Sequence, residues 1–463
     1  MFPAVVLLSL TPAHADTHDN EIWGLNRCIK TALEHNPTLS LAQEEISVSM
    51  ARRRQATAAL WATCTLRADE TKGQAESGTG LPMFVQRSYG IQATQPLFQG
   101  GRRMATHRRS VLEMESACLE VEKLKNDIRH SVAESYWRIV ALKNAIAAYR
   151  DIHPSLQSDL ENAARHELSD NRNARIEFLT TRTQNRECEA SLSELEEQLS
   201  ENSLRLAETL GLPRSFQVRL VPDIPDGKAE WNEADCLKAG IRHRPEQRLA
   251  RLLYEGAEQE YRIRRSELYP HIDLRGFYGR SGSSYVESDP FYYKEDWNAG
   301  VFMTWRLAGQ SLKYDGNKER TSPHPGDSSR TETETQSIAL TLGDAFDSMV
   351  SLRDGRKNYH AETGRYERSK QSVEEDIRSA MKRLRTAQAR RDAARDRLEE
   401  SLQLFKDTQS LLQGNRAHLG DLSTARNRVA AAQSARAQTM ADYLIAVSAL
   451  NQAIGIPDFV TVH

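Results

Sequence analysis

The stretch YGIQATQPLFQGGRR, residues 89–103, decides the fold. Its first half alternates, with Tyr89, Ile91 and Ala93 on one side and Gly90, Gln92 and Thr94 on the other, which is the period of a strand. Pro96 has no N–H to donate and is expected to end the ladder. Gly100 and Gly101 allow a sharp change of direction. From Arg102 the chain turns charged and helix-periodic. Met114, Cys118, Val121, Leu124, Ile128, Val132, Tyr136, Ile139, Leu142 and Ile146 recur at steps of three or four. One strand thus hands over to one helix, expected over 102–167, which would reach on the order of 100 Å at 1.5 Å per residue. Pro154 should kink it. The apolar stripe is narrow and the other faces are charged, so the helix needs neighbouring helices more than a globular core.

The chain does this twice. Residues 28–68 and 236–276 match at a constant offset of 208, through Cys28/Cys236, His35/His243, Pro37/Pro245, Leu60/Leu268 and Leu66-Arg67/Leu274-Arg275. The first copy, 16–213, holds a helix at about 40–58, strands at about 61–73 and 87–98, and long helices at about 102–167 and 175–211. The second, 236–463, holds a helix at about 246–266, strands at about 269–280 and 296–307, and long helices at about 336–412 and 418–455. Residues 214–235, with Pro222, Pro225 and Gly227, read as the linker. The helix ends, Gly211 and Gly455, match at an offset of 244, while the strand ends, Leu97 and Leu307, match at 210. The second copy therefore carries 34 extra residues. The stretch 309–335 is rich in Ser, Thr, Pro and Gly, includes the run SPHPGDSS, and is expected to be the insertion, as a loop or a disordered segment.

Bulk properties narrow the classes. The net charge of −2 argues against a nucleic-acid partner held by bulk charge. Mean hydropathy is −0.63 and no run of about 18 apolar residues occurs. Short alternating strands can still form a membrane β-barrel. Residues 1–15 read as a signal peptide, with an apolar Pro3–Leu10 stretch and Ala13-His14-Ala15 as cleavage site, although a basic start is missing; a buried N-terminal strand is the alternative. The first cysteine is Cys28, so no acylation site follows the apolar run. Five widely spaced cysteines argue against a disulfide framework. Most of them are expected to pack as small hydrophobes.

Phe291, Tyr292, Tyr293 and Trp297 gather at the end of the second strand pair. Such a girdle suits a membrane interface, and a soluble hairpin turn would also carry tyrosine. Four strands per chain cannot close a barrel, and an open edge cannot face lipid. If the strands span a membrane, several chains must build one wall.

The openings Ala32-Leu33-Glu34-His35-Asn36-Pro37 (degenerate around Pro245), the QPLFQGG exit at Gln95–Gly101 and the repeated helix-tip segments together resemble the TolC family of outer-membrane efflux and secretion channels. The resemblance spans about 20–457 apart from the insertion. It implies a mainly α fold with membrane β: two tandem repeats, each a strand hairpin plus a long helical hairpin. It further implies a homotrimer whose twelve strands form a barrel in outer-membrane lipid, continued by a helical barrel across the periplasm. Its partners would be a periplasmic adaptor and an inner-membrane pump, either ABC-type or proton-driven. The missing acylation cysteine favours the first. Pro96, Gly100 and Gly101 would form the strand-to-helix exit. Glu177 in ARIEFLTTR and Asp421 in GDLSTAR, 244 apart, match the acidic positions of the family's closed periplasmic entrance, and Arg416 lies near its linking arginine. A second acidic position is expected at Thr424 and is absent. Carboxylates on helix N-termini, favoured by the macrodipole, are the other reading of Glu177 and Asp421.

No H-E-x-x-H, P-loop or paired-cysteine metal site occurs, and Gly279–Ser283 falls one residue short of a nucleophile elbow, so neither an enzyme nor a cofactor or metal is expected. The basic run Lys382-Arg383, Arg385, Arg390-Arg391, Arg395, Arg397 reads as a solvated coiled-coil face, with an adaptor-docking surface as the sharper alternative. The other class in view is a periplasmic coiled-coil adaptor or scaffold without a barrel.

Overall fold

The computed structural model describes residues 22–74, 83–167, 172–213, 219–285, 293–307, 309–321, 330–343, 346–414 and 416–461. The expected signal peptide, the tip of the first hairpin, Phe291 and Tyr292, most of the 168–174 turn and the SPHPGDSS run lie outside them. The chain divides into two compact units that interleave along the sequence. One gathers the chain up to Ser40, Lys123–Arg244 and Val373–His463; the other gathers Leu41–Glu122 and Pro245–Ser372.

The second unit contains an antiparallel sheet. Its strands are β2 (Thr63–Gln74), β3 (Met83–Gln99), β5 (His271–Tyr285), β6 (Lys294–Leu307), β7 (Gln310–Thr321) and β8 (Thr331–Leu342), hydrogen-bonded in that order. Two expectations change here. The described residues of the 309–335 stretch are not loop: they supply β7 and the start of β8, which pair as a third hairpin. The helix expected from 336 accordingly begins later, as α7 (Phe346–Gln413). Gly309 (φ 84°) and Gly343 (φ 77°) make the turns at the hairpin's ends.

Pro96 does not end its ladder either. β3 continues to Gln99, and a register shift between Pro96 and Phe98 absorbs the missing donor. Gly100 (φ 56°) and Gly101 (φ 83°) then turn the chain into α3 (Arg102–Glu167). Arg103 fixes this corner, donating to the carbonyl oxygens of Pro96 (3.1 Å) and Trp61 (3.2 Å). The same unit packs α2 (Pro37–Ala58) from Leu41 onward and α6 (Pro245–Ser266), the latter joined to α3 through an Arg109–Glu260 ion pair.

Among its described residues the first unit is mainly helical, and its strands are the short parallel pair β1 (Ile22–Trp23) and β4 (Arg219–Leu220). It holds α1 (Leu25–His35), α4 (Arg172–Leu210), α5 (Glu233–His243), α8 (Leu419–Ile454) and parts of α3 and α7. Pro154 lies inside α3 without ending it. Asn36 explains its own place in the repeat. Its Oδ1 accepts from the N–H groups of Thr38 (2.9 Å) and Leu39 (3.2 Å), capping α2, and its Nδ2 donates to Thr209 O (2.9 Å) at the end of α4. Gly211 there has φ 72°, and a Cβ would come within 2.2 Å of His35 O.

The α3 stripe is buried at Val121 and from Ile128 onward, with Leu124 half-buried, but Cys118 is exposed while Ala117 and Leu119 are buried. Between Ile128 and Ala148 the burial widens to Val140, Ala141 and Ala145, more than a narrow seam. Cys28, Cys188 and Cys236 are buried as small hydrophobes; Cys64 and Cys118 are not. Burial pushes the Cys28 thiol up to about 12 and that of Cys188 to about 11.

The basic run on α7 is not wholly a solvated face. Arg391 is buried, lies 4.6 Å from the Tyr443 ring centre and donates to Gly227 O (2.7 Å). Tyr443 Oη accepts from Ala229 N (2.6 Å), Arg385 covers the Trp231 ring, and Arg436 pairs with Asp226. Asn144 of α3 donates to Pro222 O. The linker is thereby strapped across α3, α7 and α8.

Candidate functional site: the sheet face and the helix tip

Directly opposed residues of paired strands project on the same side. One row therefore runs Leu66–Ile91–Tyr278–Trp297–Arg320–Glu332 across all six strands. Three rows nearer the helix-joining end, Phe98, Ile272, Met303, Tyr314 and Ile338 share the same face. This face carries large apolar side chains in the open, Leu66 at 84% and Ile338 at 74% exposure among them. A contiguous patch of that extent marks an interaction surface, not an aqueous one.

The opposite face is polar. Arg67 pairs with Asp69 (2.6 Å), Arg275 lies over the Phe302 ring (4.4 Å) and Asp296 accepts from Ser281. The Phe277 ring fills the space above the opposed Gly90 and Gly279, each of which would place a Cβ 2.7 Å from it. The near nucleophile-elbow match is thus a segment of β5. The strands hold 12 to 17 residues, enough to cross a bilayer at about 9–11 residues each. Both edges, β2 and β8, are open within the described residues. No described helix is long and apolar enough to cross a membrane.

The helix tip belongs to the other unit. Glu177 of α4 is half-buried, and its Oε1 accepts from the N–H of Leu419 (2.6 Å), the first residue of α8. Asp421 Oδ2 accepts from His418 N (3.1 Å), completing a capping box in which the His418 side chain accepts in return. Both sequence-selected carboxylates thus converge on the start of α8, where unsatisfied N–H groups and the macrodipole favour them. Arg416 is exposed beside them, its N–H closing the end of α7 on Leu411 O (2.9 Å). Thr424 donates to Gly420 O, an ordinary helical role.

A second set at the tip was missed by sequence reading. Asp159 of α3 is buried, pairs with Arg426 of α8, and accepts from Ser423 Oγ (3.2 Å). Asn427 donates to Gln184 O (2.7 Å), joining α8 to α4. The one available signal was that Arg426 repeats Arg182 at the helix offset of 244; Arg182 is exposed, so the repeat alone did not identify a partner.

With this geometry in hand, comparison with known proteins gives consistent results. The family model described as outer membrane efflux protein matches residues 28–212 and 240–456. The outer membrane efflux protein BepC of Brucella suis is 24% identical over 142 residues, 31% of each chain, so the match spans about a third of that relative. Among solved structures, the CmeC outer membrane channel of Campylobacter jejuni superposes with a TM-score of 0.74 at 13% identity, over 93% of this chain and 85% of that one. The outer membrane protein VceC of Vibrio cholerae gives 0.71 at 17%, over 93% and 96%.

Proposed function

This chain belongs to the outer membrane efflux protein family, and on that premise we propose that it forms the exit duct of a three-part export system in a Gram-negative cell envelope. Three copies close their sheets into one barrel in outer-membrane lipid, and their long helices continue the duct through the periplasm. A periplasmic adaptor and an inner-membrane pump, ABC-type or proton-driven, deliver cargo and supply the energy; the duct itself is passive.

The observation that carries this reading is the two-faced sheet. One face is apolar across every strand and the other is polar, and both edges lack partners among the described residues. In lipid an edge with unpaired N–H and C=O groups is prohibitively costly, so further copies must complete the wall. An adaptor or scaffold has no use for such a face. The tip carboxylates fit the same reading: Glu177 and Asp421, repeated around a three-fold axis, would attract cations to a narrow entrance.

Membrane fractionation followed by gel electrophoresis of unheated and heated samples tests the proposal. The expected result is an outer-membrane, SDS-resistant oligomer that collapses to a monomer on heating. A soluble monomer would overturn it.

A further inference from the structure

The third hairpin is not a decoration on a four-stranded wall. We propose that β8 is itself a wall strand, that it pairs with β2 of a second copy of this chain, and that each copy contributes six strands. Three copies would then close a ring of eighteen rather than the twelve that two hairpins per chain would give. This rests on the barrel of the preceding section but goes beyond it.

The register carries the argument. The apolar residues of the outer face drift steadily across the sheet. On β2 they centre on Leu66, whereas on β8 they centre on Leu340. Following the paired rows, Leu66 is level with Trp297 of β6 and Glu332 of β8, so the centre has moved down β8 by eight residues, 340 − 332. Eight residues at about 3.4 Å, over five strand spacings of about 4.8 Å, is a slope of roughly 45–50°. A membrane slab cutting a barrel of strands tilted by about 35–45° leaves such a diagonal band. β7 and β8 stay in the band: Leu312 and Tyr314, then Ile338, Leu340 and Leu342, continue the line set by Ile272–Tyr278 and Trp297–Trp305. A flap outside the wall has no reason to keep that slope.

The two open edges also fit each other. Both β2 and β8 hold 12 residues. Six alternating strands leave them running in opposite directions, so contact between copies continues the antiparallel order. Setting Leu340 against Leu66 of the second copy places Leu342 against its Cys64 and Ile338 against its Ala68. Further out, Gln336 meets Glu70 and Glu334 meets Lys72, an opposite-charge pair. On the polar face Thr341 meets Thr65 and Thr335 meets Thr71. The Thr–Thr and Glu–Lys pairings are of kinds that support a sheet, and no like charges are opposed in this register. β8 is exposed along its whole length in the single chain, so its apolar end gains cover only from lipid and a neighbour.

The barrel would be about half as wide again as a twelve-stranded one, since diameter grows roughly linearly with strand number. Cysteine pairing tests this. In a background with Cys64→Ser and Cys118→Ser, Leu66→Cys with Leu340→Cys should form disulfides between copies, giving dimers and trimers on heated non-reducing gels. Leu66→Cys with Val301→Cys, Met303→Cys or Trp305→Cys should not. Cross-links through β6 instead, or none from any pair while the SDS-resistant outer-membrane oligomer persists, would overturn the proposal and leave the duct intact. Loss of the outer-membrane oligomer from the parent would sink the duct reading as well. Electron cryo-microscopy of the parent oligomer in lipid nanodiscs gives a variant-free check: eighteen wall strands are expected, and twelve would refute it.

Discussion

Glu177 and Asp421 each supply a negative charge and a hydrogen-bond acceptor at the start of α8, and conservative substitution separates the two. Glu177→Gln and Asp421→Asn keep an oxygen for the Leu419 and His418 N–H groups and remove the charge. The double amide variant should retain most of its thermal stability while losing cation preference, read as a shifted reversal potential under a salt gradient in planar bilayers. Unchanged selectivity would reduce both residues to helix caps. Glu177→Ala should in addition cost about 1 kcal/mol, the usual penalty for a lost cap. Arg426 is a different case. Arg426→Ala strands a buried Asp159 carboxylate, and breaking one side of a buried pair costs about 3–5 kcal/mol. Thermal unfolding in detergent should show the loss, and Arg426→Ala with Asp159→Ala should recover part of it. The family resemblance pointed to Glu177 and Asp421, which match its acidic entrance positions and lie 244 apart, as the repeat requires. Asp159 gave no such cue: it lies in an evenly charged helical stretch, and only the fold brings Arg426 to it.

At the scale of elements, the corner between β3 and α3 makes the sharpest claim. Both Gly100 and Gly101 have positive φ, but only at Gly100 would a Cβ also crowd Tyr269 Cβ (2.8 Å) and Ser266 O (3.0 Å). Gly100→Ala should therefore be the more damaging, by about 1–3 kcal/mol for combined strain, while Gly101→Ala loses about 1 kcal/mol to its backbone conformation alone. The yield of SDS-resistant oligomer and its dissociation temperature would rank the two. This corner was readable from QPLFQGG, except that a bulge lets the strand pass Pro96. The third hairpin was not. Its signal is the alternation of Leu312 with Tyr314 and of Ile338, Leu340 and Leu342, each run short and flanked by Lys, Asp, Glu and Thr. A strand facing lipid on one side and water on the other interleaves polar residues with apolar ones along its whole length. Beside the intervening Ser, Pro and Gly residues, such runs look no more apolar than a loop.

For the molecule as a whole, the duplication was visible in two constant offsets, 208 and 244, and these set the order of strands and long helices. What they could not reveal is that each copy contributes to both compact units, because a long helix such as α3 has residues in each. The copies are interlocked. β3 of one pairs with β5 of the other, Arg109 reaches Glu260, Asp127 accepts from Gln452 (2.7 Å), and Glu177 caps α8. Co-expressing residues 1–213 and 214–463 as separate polypeptides, the second placed behind its own copy of residues 1–15, should therefore yield the same heat-modifiable oligomer, with an affinity tag on either half retrieving the other. Failure of the halves to co-purify would mean that covalent linkage does more than the interlock.

The strap formed by the linker bears on how such a chain can be cut and still hold together. Gly227 O, Ala229 N, Asp226 and Trp231 are each gripped by a side chain from a distant helix. A protease that severed one peptide bond there would leave both ends tethered within the same unit. Loss of mass on a denaturing gel would then not report loss of the native particle, and a nicked molecule would go on behaving as an unbroken one until heating in detergent released it.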